Sequence, residues 1–145
     1  FILAQVWTNI EYANTYKNIN MQLQTNADLL TEKLYDLSMI EQLCRGNQDQ
    51  VKKMVKVFID QIPKSVEEIK LAYTTRDLDI VKNVAHKIKP TLSYYAIVKI
   101  EKDLRQIEAL AKEGFATTEL ELKINKLEEI TTQVVEKMKQ DFLYY

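Results

Sequence analysis

The chain holds one histidine, His86, inside the stretch 85-AHKIKPTLSYYAI-97. A neutral imidazole nitrogen is a good nucleophile near neutral pH, and a phosphoramidate formed on it is labile enough to pass its phosphoryl group on. Such a group brings substantial negative charge, so cations close by would be needed to hold it. Lys82, Lys89 and Ser93 stand four, three and seven residues from His86. On a helix that spacing places them on the histidine's own face. Lys89 can act on a phosphoryl group as a point charge, with Lys82 behind it from the preceding turn. Lys87 projects elsewhere on the wheel and suits the attraction of an acidic partner.

The other reactive candidate is the single cysteine, Cys44. It falls beside the apolar face of a short helical stretch, where a buried, inert thiol is the expected outcome. With one cysteine no internal disulfide can form, and no Cys/His spacing suits a structural metal, so a reducing compartment is expected.

A helix turns ~100° per residue. Leu78, Val81, Val84, Ala85, Ile88 and Leu92 therefore cluster on one side of the segment from Leu78 to Ser93. His86 points about 130° from the centre of that stripe. This reads as a surface histidine, not a core one. Pro90 lacks the N–H that would bond the carbonyl of residue 86, which predicts a loosened turn at the histidine.

Three further segments show the same apolar period. One covers Asp49 to Tyr73, with Asn47 as N-cap and Pro63 bending it. One starts near Tyr95 and ends before Gly114, using Ile97, Ile100, Leu104, Ile107 and Ala111. The last opens on a Thr-x-x-Glu capping box, 118-TELE-121, and carries Leu120, Ile124, Leu127, Val134 and Met138. Asp77 caps the histidine segment. A short leading helix, 38-SMIEQLCRG-46, has Ser38 as cap and Gly46 as stop. Tyr94 and Tyr95 are expected to close the end of the bundle.

Two glycines and two prolines in 145 residues leave little turn chemistry for sheets. The expected fold is all-α: an antiparallel up-down four-helix bundle with a short leading helix, over residues 34–145. Residues 1–33 read as an extension, linker or non-native leader. Leu3, Val6, Ile10 and Ala13 fit a helical seam there, which 17-KNINMQLQTN-26 loses. Tyr144 and Tyr145 read as frayed chain.

Lys and Arg number 20 against 21 Asp and Glu, giving a formal charge of -1. That balance argues against a nucleic-acid binder. No apolar run approaches the ~20 residues of a membrane span.

The histidine stretch resembles that of histidine-containing phosphotransfer (HPt) domains, whose motif is close to A-H-x-L-K-G-S-x-x-x-G-A/I. Ala85, His86, Ile88, Lys89 and Thr91 match it, and the order of helices matches over about residues 34–142. The chain departs from the motif at Pro90 and Ala96, where the family has glycine. The resemblance implies a phosphoryl carrier with no kinase or phosphatase activity of its own. His86 would accept a phosphoryl group through its outer ring nitrogen, supported by Lys89, with Lys82, Lys87 and Ser93 on the docking surface. Its partners would be response-regulator receiver domains and a hybrid histidine kinase. Mg²⁺ would sit in the receiver, so the chain itself would need no metal or cofactor, and would work as a cytoplasmic monomer. Two other readings compete. One is the dimerisation hairpin of a sensor kinase, disfavoured by Lys87 after the histidine and by the lack of a nucleotide-binding domain. The other is a non-catalytic helical adaptor in which His86 is irrelevant.

Overall fold

A computed structural model describes residues 11–23 and 33–142. The chain divides into two compact units, Phe1–Lys33 and Leu34–Tyr145. In the first, α1 is helical over residues 11–23. It runs through much of the polar stretch because a second stripe takes over: Tyr12, Tyr16, Ile19 and Leu23 recur at steps of four, three and four, all exposed. Leu3, Val6 and Ile10 of the expected seam, and Tyr144 and Tyr145, lie outside the described residues.

The second unit contains α2 (Ser38–Leu43), α3 (Gln48–Thr74), α4 (Leu78–Tyr94), α5 (Val98–Lys112) and α6 (Thr118–Phe142). Helix α4 packs on α3 and α5, α5 packs on α6, and α6 returns to α3. With short connections between them, the four long helices form a closed antiparallel ring, and α2 leans on α3. The expected stripes are the core. Val51, Val55, Phe58, Ile62, Val66 and Ile69 of α3 are buried, as are all six stripe residues of α4. Ile100, Leu104, Ile107, Leu120, Leu127, Val134 and Met138 complete the interior.

Side-chain caps start α3, α4 and α6 but not α2 or α5, with two corrections to the expected caps. The Asn47 side chain accepts from the N–H groups of Asp49 and Gln50, and Asp77 accepts from Ile80 N–H, as expected. Ser38 does not cap α2. It is the first helical residue, and its N–H donates to Asp36 Oδ1 at 2.7 Å. At α6 the cap is Thr117, whose Oγ1 accepts from Leu120 N–H at 3.2 Å. The expected box is not formed: with the cap at Thr117 the third helical residue is Leu120, which has no carboxylate to reach back to the cap.

Helix ends explain the glycine scarcity. At the end of α4, Ile97 N–H donates to Leu92 O and Ala96 N–H to Ser93 O, both at 3.0 Å. This is a Schellman closure, which needs a left-handed residue after the cap. Ala96 supplies it at φ 54, and Arg45 and Arg76 do the same after α2 and α3 at φ 52 and 63. Tyr95 is thus the cap of α4 and not the start of α5, which begins at Val98. A left-handed Cβ costs about 1–2 kcal/mol, partly offset by glycine's greater freedom when unfolded. Ala96→Gly should therefore raise stability by about 0.5–1 kcal/mol, read as a higher urea midpoint at unchanged slope.

Both prolines lie inside helices that stay helical through them. At Pro90 the helix runs on for four more residues to Tyr94, although the proline has no N–H to donate to the carbonyl of His86.

Asp103 of α5 is the one buried carboxylate among the described residues, and it is held by Lys123 at 3.0 Å and Lys126 at 2.8 Å from α6. Burial pushes this carboxyl up, but the two lysines outweigh it and hold it below its usual 3.8. A carboxyl depressed by folding stabilises above its unfolded value, and that contribution is lost as pH falls through the folded one. Asp103→Asn should flatten the fall of urea midpoint with acidification below about pH 4.

Candidate functional site

His86 stands midway along α4 with its side chain 71% exposed, on the face opposite the stripe that fills the core. Its surroundings come from α4 and from α5 packed antiparallel beside it. Glu108 of α5 reaches across so that Oε1 lies 2.6 Å from His86 Nδ1. The other oxygen of the same carboxylate accepts from Lys89 Nζ at 2.8 Å. One carboxylate thus ties the histidine and the expected phosphate-supporting lysine together. Its side chain is only 19% exposed, so it is screened by the helix pair while its two partners lie nearer the surface.

Burial pushes the Glu108 carboxyl up, but the hydrogen bonds and charges of Lys89 and His86 more than compensate and hold it below its usual 4.5. It is therefore ionised at neutral pH, and an ionised carboxylate can only accept. The proton between the two groups must belong to Nδ1. In the neutral ring the lone pair is then on Nε2. The site accordingly offers an exposed imidazole, held in one orientation by Glu108, whose outer nitrogen faces away from that carboxylate.

The remaining expected residues are spread around this pair. Lys82 is half-buried, one turn before the histidine, with Nζ 3.9 Å from Asp79 Oδ1. Ser93 lines a shallow depression with Lys89, Pro90, Glu101 and Arg105. Lys87 turns to the other side of α4, as the wheel predicts. There it borders a groove of about 630 Å³ between α2, α3 and α4. The floor includes Ile40, Met54, Phe58, Ile62, Ile88 and Tyr95, and Lys53 stands on the facing edge. Tyr94 is 46% exposed on this groove, while Tyr95 is buried, so only the second closes the bundle. Its ring meets Phe58 at 4.6 Å between centroids, and its hydroxyl donates to Met54 O at 2.8 Å. Cys44 is buried against Met54, with 3.4 Å between their sulfurs.

Sequence reasoning missed Glu108. The signal that could have found it is hairpin arithmetic: in an antiparallel pair turning at Ala96, the partner of residue 86 falls near residue 106.

No family model matches the chain, and no curated protein matches it in sequence. Two solved structures share its fold. One is the crystal structure of histidine-containing phosphotransfer protein B (HptB) from Pseudomonas aeruginosa PAO1. It has a TM-score of 0.69 and 17% identity, over 79% of this chain and 99% of that one. The other is the HPt domain of an Hpt sensor hybrid histidine kinase from Shewanella, with a TM-score of 0.62 and 21% identity, over 76% of this chain and 94% of that one. The bundle is an HPt fold.

Proposed function

We propose that this HPt-fold chain is a phosphoryl carrier of a two-component phosphorelay, taking the group on Nε2 of His86 from a receiver-domain aspartate and giving it to another. The observation that carries the reading is the exposed imidazole held at Nδ1 by Glu108, 2.6 Å away, with Lys89 on the same carboxylate. The fold shared with phosphotransfer proteins supports it.

The chemistry needs little from the chain itself. Glu108 fixes the tautomer, so the Nε2 lone pair is presented without a proton to remove first. Lys89 has three N–H donors and spends one on Glu108 in the resting site, leaving others for phosphoryl oxygens. Among the described residues no group of three or more His, Cys, Asp or Glu could hold a metal ion. The required Mg²⁺ would come with the receiver. Lys82 and Ser93 would meet the receiver around the histidine, with Lys87 at the groove-side edge of that docking surface. No described helix is long and apolar enough to cross a membrane. We place the chain in the cytoplasm, as a monomer serving a hybrid kinase and its response regulators, with no role on nucleic acid and no kinase or phosphatase activity of its own.

Incubation with radiolabelled phospho-receivers and Mg²⁺ tests the proposal. Acid-labile, base-stable label on the chain is the expected result. A folded chain that takes no label from any receiver would overturn it. The second reading, an adaptor that binds without chemistry, has one observation in its favour: the apolar groove beside Lys87, with Leu43 and Val57 each 59% exposed nearby. Partner binding that survives while no label is ever transferred would select it.

A further inference from the structure

Glu108 is charged as well as correctly placed, and its charge has a consequence for the phosphorylated state. When the Nε2 lone pair attacks the phosphorus of a receiver's aspartyl phosphate, an N–P bond forms. The P–O bond to aspartate breaks, and its electron pair leaves with the carboxylate. The ring still carries its Nδ1 proton, so it becomes a phosphoimidazolium with one positive charge. An isolated ring would shed that proton to water. Here Nδ1 faces an ionised carboxylate at 2.6 Å, in a charge-assisted hydrogen bond.

We infer that Glu108 balances the charge of the phosphoimidazolium, keeping the Nδ1 proton on the ring so that the carrier stays a competent donor throughout its cycle. In the onward step a receiver carboxylate oxygen attacks phosphorus. The N–P electrons return to Nε2, and the ring leaves as neutral imidazole because Nδ1 is still protonated. No proton enters or leaves the site in either direction. A ring that had lost the Nδ1 proton would have to leave as an anion, a far poorer leaving group. Lys89 completes the exchange: the N–H groups it does not spend on Glu108 Oε2 are there for the incoming phosphoryl oxygens, and Oε1 stays with the ring.

Other charges around the histidine do not duplicate this role. From α4 itself, Lys82 is engaged with Asp79 one turn away and Lys87 faces the groove, where α3 contributes Lys53. From α5, Glu101 and Arg105 border the depression beyond Lys89 and Ser93. Glu108 alone among the described carboxylates is within salt-bridge distance of the ring.

The inference rests on the carrier reading, and Glu108→Gln separates the two. Glutamine removes the charge and keeps one oxygen, which can accept from Nδ1 only if Lys89 gives up its own bond to the side chain; nitrogen NMR of the unphosphorylated ring checks that the Nδ1–H tautomer stays. Both proteins are phosphorylated at His86 with phosphoramidate, a small donor that needs no receiver, and followed by phosphorus NMR against pH. In the variant the midpoint of the phosphohistidine titration should fall by about 1–2 units. Onward transfer to an unphosphorylated receiver should then fall about tenfold or more at alkaline pH, and converge with wild type at acid pH. Equal midpoints and superimposable pH–rate profiles would overturn the inference. A shifted midpoint with no transfer from either protein would uphold the charge effect and overturn the carrier reading instead.

Discussion

A His86→Gln chain should take up no phosphoryl group from any receiver, while its unfolding free energy from urea melts stays within about 0.5 kcal/mol of wild type. The two halves of that expectation have separate causes. Loss of transfer is total because an amide nitrogen has its lone pair delocalised into the carbonyl, and no second histidine exists in the chain. Stability is spared because the side chain is 71% exposed and touches the rest of the molecule through a single bond to Glu108. The glutamine amide can still donate to Glu108 Oε1, and Lys89 keeps its own bond to Oε2. The carboxylate is therefore never left buried without a partner, which is the usual source of large losses at such positions. Label counted on wild type and variant after exposure to the same phospho-receivers, beside paired urea melts, checks both halves. Residual label on the variant would mean acceptance at another side chain, and an unfolded variant would mean that His86 is structural.

The same contrast shows what the sequence could reveal. Burial side was legible on α4 because six apolar residues recur at helical spacing and His86 falls well away from them. The structure buries all six and exposes the histidine. Which charged residue of a neighbouring helix meets that face was not legible. Periodicity reports which way a side chain points from its own axis, and nothing about how far a neighbour is shifted along it. Glu101 and Glu108 are seven residues apart and share a face of α5. Only the position of the turn decides between them. The start of α5 itself lies three residues beyond where the sequence suggests, because Tyr95 and Ala96 look like helix formers. The Schellman closure is built on an alanine in a conformation that alanine seldom adopts, and a glycine at 96 would have announced it. Thr117 was lost to Thr118 for a similar reason, since capping chemistry cannot choose between two identical side chains.

The largest stability effect should come from the other side of α4. Phe58 is 2% exposed, is among the largest fully buried side chains, and stacks at a tilt on Tyr95. Removing a buried phenyl ring costs the transfer of its apolar surface plus the contacts its neighbours lose, together about 3–5 kcal/mol. Against the roughly 5–15 kcal/mol that holds a domain of this size, that is about a fifth or more of the total. The site makes the loss hard to heal. Phe58 forms part of the floor where α2, α3 and α4 meet, and Tyr95 is pinned by its bonds to Met54 O and from Asp36 N–H, so the ring opposite cannot swing in to fill the gap. Phe58→Ala should thus lower the unfolding free energy by about 3–4 kcal/mol. At temperatures where it stays folded it should still accept label at His86. Glu108 approaches the histidine from α5, so nothing in the His86–Glu108–Lys89 cluster depends on the groove side of the helix. If transfer by folded Phe58→Ala collapsed along with stability, the groove beside Lys87 would be part of how a receiver is held, and the two faces of α4 would be one functional surface.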